Sequence, residues 1–195
     1  AQMVFTQAQD LLGRRVGRKE TKELGTDARV GGVGIDPGKR AVVLKDVALK
    51  NPVGFKEGDA LTCGRVIVVF SMSTLISKQP AIALIELEDT HVYNRYEVGR
   101  GTNLSALAKK YAEAPMHEDL QFTVDRLVCK DGKLHLSTNL LPGASVPINM
   151  AKIEMKDVHH GKPLTTERTA SLFLRTLLKE VLTVKGLGAS IYDTI

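Results

Sequence analysis

Aliphatic residues at alternate positions, followed by a charge and then Asn or Asp, recur three times along this chain. Val47-Ala48-Leu49-Lys50-Asn51, Ile85-Glu86-Leu87-Glu88-Asp89 and Ile153-Glu154-Met155-Lys156-Asp157 share the pattern. A period of two puts the apolar side chains on one face of a strand and the charges on the other. The closing Asn or Asp favours a turn, because its short side chain can bond the nearby backbone. Like positions of aligned strands share a face. Val47, Leu49, Ile85, Leu87, Ile153 and Met155 are therefore expected to line one apolar trough. Such a trough needs a cover: a helix of the same chain, a partner or a lipid.

The remaining elements follow from periodicity. Val4, Ala8, Leu11, Leu12 and Val16 fall near helical spacing and predict an N-terminal helix within residues 1–24, ahead of a β domain over 25–195. Residues 28–35 and 40–50 read as a hairpin around Asp36-Pro37-Gly38-Lys39. Residues 60–70 are apolar on both faces, which suits a central strand. Another strand covers 81–96. Thr102 or Asn103 can cap a middle helix running to Tyr111. Strands are expected at 120–129, 133–140 and 146–157, the first two joined as a hairpin by Asp131-Gly132. A C-terminal helix over 165–184 carries a broad apolar stripe through Phe173, Leu174, Leu177 and Leu178. The predicted fold is α+β: a curved, mostly antiparallel β-sheet groove with N-terminal, middle and C-terminal helices.

Composition agrees with one folded domain. The chain has 195 residues, 43% hydrophobic and 25% charged. No stretch is long and apolar enough for a membrane span, and no signal peptide is visible. The start at Ala1-Gln2 rather than Met leaves room for a leader or a membrane anchor ahead of it. The net charge of +5 permits attraction to anionic surfaces. Arg14, Arg15, Arg18 and Lys19 form the densest basic run and are the candidate contact. With four Tyr, five Phe and no Trp there is little material for stacking bases, which argues against nucleic acid as a partner.

Motifs for chemistry mostly fail. Gly31-Gly32-Val33-Gly34-Ile35-Asp36-Pro37-Gly38-Lys39 has some look of a phosphate loop, but Val33 stands where the first Gly belongs and Arg40 follows the Lys. The adjacent His159 and His160 would point to opposite faces of a strand, and His91, His117 and His135 stand apart. Glu86 and Glu88 share the wet face of their strand. Cys63 and Cys129 lack zinc-ligand neighbourhoods. A disulfide between them is open in an oxidising compartment, although strand-like settings favour two separate core residues. No metal, cofactor or catalytic group is expected, and the reading is of a non-enzyme.

Three short motifs resemble one family. Asn51-Pro52-Val53-Gly54-Phe55, Ser73-Thr74-Leu75-Ile76 and Thr102-Asn103-Leu104-Ser105-Ala106-Leu107 occur in the order and at the spacings of the AsmA-like proteins of the bacterial envelope. The resemblance covers about residues 25–160. It implies a taco-shaped β-groove, an N-terminal tether to the inner membrane, a periplasmic location and a link to phospholipid movement and outer-membrane integrity. Phospholipid or another apolar ligand and the membrane surface are the implied partners. The chain is a single short unit, too short to bridge an envelope alone. The alternative function is a structural or assembly subunit, as a homo-oligomer or in a larger envelope complex, with the groove filled by its own helix or by a neighbouring chain. Asn-Pro at a strand end also occurs in the late-embryogenesis-abundant type 2 β-sandwiches, the alternative fold.

Overall fold

The computed structural model describes residues 28–75, 79–116 and 121–183; the helix expected near the N-terminus and its Arg14, Arg15, Arg18 and Lys19 lie outside them. The described chain is α+β, with nine strands in one open, curved, mostly antiparallel sheet and two α-helices. Strands β1 (Ala28–Asp36), β2 (Ala41–Lys50), β3 (Asp59–Phe70) and β4 (Ala81–Glu97) form an antiparallel meander. The expected first hairpin forms, and the Asp36 carboxylate accepts the Lys39 N–H at 3.1 Å to close its turn. Strand β5 (Gly101–Thr102) folds back on the end of β4 and leads into α1 (Asn103–Ala112), whose first turn Thr102 caps by accepting the Ser105 N–H at 3.2 Å. Then come β6 (Thr123–Cys129), β7 (Lys133–Thr138), β8 (Val146–Asn149), β9 (Ile153–Lys156) and α2 (Thr166–Thr183).

Two expectations fail in this second half. Asp131-Gly132 does not reverse the chain. Strands β6 and β7 follow one another along the same side of β4, both parallel to it, with Leu87 beside Cys129 and His91 beside Lys133. The stretch 146–157 is two strands, β8 against β7 and β9 against β6.

One local conformation explains both the first failure and the curvature. Asp46, Asp89, Asp131 and Asp157 all have φ between 48° and 52°, the left-handed region that Asp tolerates better than most residues. The phrase of alternating apolar residues, a charge and Asp thus has its structural copies at Val42–Asp46, Ile85–Asp89, Leu127–Asp131 and Ile153–Asp157. The copy at 47–51 instead ends β2, where Asn51 donates from Nδ2 to the Lys56 carbonyl at 2.9 Å. In the second phrase the expected turn is a crease inside a strand: β4 runs on through Asp89 to Glu97.

The registers place Gly31, Asp46, Gly64 and Asp89 in one row across four strands, continued by Asp131 in the connection between β6 and β7. At this row the inward parity of β2, β3 and β4 flips, while β1 keeps its alternation through Gly31. Leu44 and Val47 both face inward, as do Cys63 and Val66, and Leu87 and Thr90; in β2 and β4 the left-handed Asp46 and Asp89 turn the chain over without ending it, and β3 makes the same flip at Gly64 without a positive φ. Glycine is required beside the aspartates. A Cβ on Gly31 would sit 2.9 Å from that of Asp46, and one on Gly64 would sit 3.1 Å from that of Asp89.

The helices lie on the inner face and against each other. Leu104, Leu107 and Tyr111 of α1 and Leu174 and Leu177 of α2 are buried with Val92, Val124 and Leu134 of the sheet. The Ser171 hydroxyl ties the helices by donating to the Ala108 carbonyl at 2.7 Å. Buried Asn103 fixes the start of α1. Its Oδ1 accepts the Arg95 N–H at 2.8 Å, and its Nδ2 donates to Asn51 Oδ1 and to the Tyr93 carbonyl, each at 2.7 Å. Asn51 and Asn103 of two separate sequence motifs thus meet in one network.

Candidate functional site

Between the inner face and the start of α2 lies an apolar cavity of about 270 Å³. The crease supplies its walls. Leu44, Val47 and Leu49 come from β2, Val66 and Val68 from β3, and Ile85 and Leu87 from β4; Phe173 and Leu174 of α2 close it from above. Leu44, Val47, Leu49, Val66, Val68 and Ile85 are each only half-buried. The described elements therefore cover this part of the face incompletely. Among the described residues the polar side chains in the wall besides the Cys63 thiol are Thr166 and Thr169, and the Thr169 hydroxyl already donates to the Thr165 carbonyl at 3.0 Å.

That lining decides what the cavity can hold. Its volume equals the liquid share of about nine waters, each of which needs two to four polar partners. Few such partners exist. The half-buried walls leave apolar surface in contact with water, which is unfavourable in proportion to the area exposed. An apolar occupant removes that cost.

Four of the six residues expected in the trough, Val47, Leu49, Ile85 and Leu87, line this cavity together. Ile153 and Met155 do not: they sit on β9 at the sheet edge beside Cys129 and Leu127, and contribute to the core there. The alternation signal missed Leu44, because the crease moves it onto the same face as Val47; Val66 and Val68 were not assigned to the trough because residues 60–70 are apolar on both faces. The helix expected at 165–184 covers part of the trough through Phe173 and Leu174.

The other candidate groups are placed structurally. Cys63 and Cys129 are buried free thiols. Burial pushes the pKa of both up; Cys63 donates to the carbonyls of Arg65 and Glu88 at 3.0 and 3.2 Å. Glu86 and Glu88 on the wet face bind Lys130 at 3.1 Å and Arg65 at 3.2 Å. On the same outer face His91 Nδ1 and His135 Nε2 share a hydrogen bond of 3.0 Å, and Tyr93 stacks on His135 with ring centres 4.7 Å apart. Burial, then His91 and Lys133, hold the His135 pKa below its usual value. His159 Nδ1 lies 2.7 Å from the Val124 carbonyl. Among the described residues no three His, Cys, Asp or Glu side chains are grouped to hold a metal ion, and no helix is long and apolar enough to cross a membrane. No protein-family model, curated protein or solved structure matches the chain.

Proposed function

We propose that this chain is a non-enzymatic β-groove protein of the bacterial periplasm, associated with the inner membrane. It holds an acyl chain or similar apolar ligand between its creased sheet and α2, in the service of envelope lipid transport or outer-membrane integrity. The observation that carries this reading is the cavity of about 270 Å³ with almost wholly apolar, half-buried walls. An extended hydrocarbon suits it, because the wall runs along three adjacent strands and offers almost nothing to orient a polar ligand. The AsmA-like motifs and the open, curved sheet agree with it. One observation favours the assembly-subunit alternative: Phe173 and Leu174 already fill part of the trough, as a self-covered scaffold requires.

Binding of a fluorescent fatty acid to the purified full chain, without vesicles, tests the reading. Val68→Trp places a large ring in the cavity from a half-buried wall position and should lower affinity at least about tenfold while leaving the melting temperature unchanged or raised. Leu87 is a poor site for such a test because it is 7% exposed and belongs to the core. Absence of binding by the natural sequence, or unfolding of the Val68→Trp chain, would mark the space as ordinary closed core.

A further inference from the structure

Three neighbouring loops at one end of the sheet carry exposed aliphatic side chains. Val53 on the β2–β3 loop is 101% exposed, Val98 on the β4–β5 loop 46%, and Leu140 and Leu141 on the β7–β8 loop 52% and 63%. The strand directions put all three loops at this end, and hydrogen bonds join them. Arg100 donates to the Gly54 carbonyl. The Val98 N–H donates to Asn139 Oδ1 and the Asn139 N–H to the Tyr96 carbonyl, each at 3.3 Å.

We infer that this rim is a bilayer-docking surface, in which the loop tips enter the headgroup–acyl boundary and the cations beside them meet lipid phosphates. The inference rests on the membrane-associated part of the proposed function and on none of the cavity residues. Two observations favour lipid over protein as the occupant. A side chain as exposed as Val53 projects from the fold, and a soft phase can surround it, whereas a rigid partner would need a fitted pocket. The local charge is also positive. Among the described residues of these loops Lys50, Lys56 and Arg100 are exposed against Glu57, since Asp59 is paired with Arg29 at 2.8 Å and Glu97 with Arg95 at 2.9 Å.

The chain contains no Trp, so a single introduced Trp reports its own surroundings. Val53→Trp and Leu141→Trp should each shift emission to shorter wavelength on adding phosphatidylethanolamine–phosphatidylglycerol vesicles, and brominated lipid should quench both. Met72→Trp, 56% exposed at the opposite end of the sheet, should show neither effect. Leu140→Asp with Leu141→Asp should lower co-sedimentation with these vesicles at least about tenfold, with melting temperature and fatty-acid binding unchanged. Equal responses at all three Trp positions, or none, would overturn the inference. So would self-association in solution that the two aspartates abolish, since the rim would then be a contact between copies. Absence of fatty-acid binding by the natural sequence, with its vesicle binding intact, would refute the cavity reading and leave the rim standing.

Discussion

Gly64→Ala is the sharpest perturbation of the crease. Ala in a strand interior is ordinarily better than Gly by about 0.5–1 kcal/mol. Here the new Cβ would stand 3.1 Å from the Asp89 Cβ and 3.0 Å from its Oδ2. The Asp89 carboxylate is 80% exposed and can rotate away, but its Cβ is fixed by a backbone held at φ 52°. Overpacking of this kind costs about 1–3 kcal/mol. The net expectation is a loss of about 1–2 kcal/mol, or about 2–8 °C in melting temperature for a chain of this size. Asp89→Gly removes the obstructing side chain and suits the left-handed backbone. The double variant should therefore recover most of the loss, with a coupling of about 1 kcal/mol. Thermal unfolding of the four proteins by circular dichroism reads this directly. A Gly64→Ala chain as stable as the parent, or strictly additive effects, would refute the packing of glycine against aspartate.

Other outcomes follow from particular groups. Asn103→Ala removes a fully buried side chain and strands the partly buried Arg95 N–H and Tyr93 carbonyl; it should cost about 2–3 kcal/mol in denaturant unfolding, whereas a surface-like loss below about 0.5 kcal/mol would contradict the network. The His135 pKa is lowered from 6.5, so the folded state takes this proton less readily than the unfolded chain. Stability is then lost as pH falls through about 6.5, and a melting series down to about pH 5 should be shallower for His135→Gln; equal slopes would count against it. Cys63 and Cys129, buried with raised pKa, should react with a thiol reagent at mild alkaline pH only as the chain unfolds, and fast labelling of the native protein would show that the wall at Cys63 opens.

Much of the architecture was legible in the sequence because local chemistry specified it. Asp36-Pro37-Gly38-Lys39 closed its hairpin, Thr102 capped α1, and the stripe through Phe173 and Leu174 ran on a helix from Thr166. Positions that depend on backbone handedness were not legible. An Asp-Gly pair signals a reversal when both central residues turn left-handed; with Asp131 alone left-handed the chain only flips its faces and carries on. The same flip hid Leu44 from an alternation count that assumed unbroken parity, and a strand apolar on both faces gave no reason to choose the side of Val66 and Val68. The Val-x-Leu-Lys-Asp run ending at Asp46 and the Leu-x-Cys-Lys-Asp run ending at Asp131 were the signal that could have revealed the crease. Ile153 and Met155 obeyed the pattern yet fell outside the cavity, because which strand neighbours which is a long-range property that a five-residue phrase does not encode. The rim loops carry no periodicity, and only their meeting at one sheet end gives Val53 and Leu141 a common surface.

Native mass spectrometry of the purified full chain, followed by solvent extraction and lipid identification, asks most directly whether the space between the creased sheet and α2 is made for an apolar ligand. The expected spectrum shows a discrete lipid-sized mass above the bare chain that disappears on extraction and is absent from Val68→Trp. A bare chain in every preparation, unchanged after incubation with phospholipid or fatty acid, would contradict it and mark the trough as covered without a ligand.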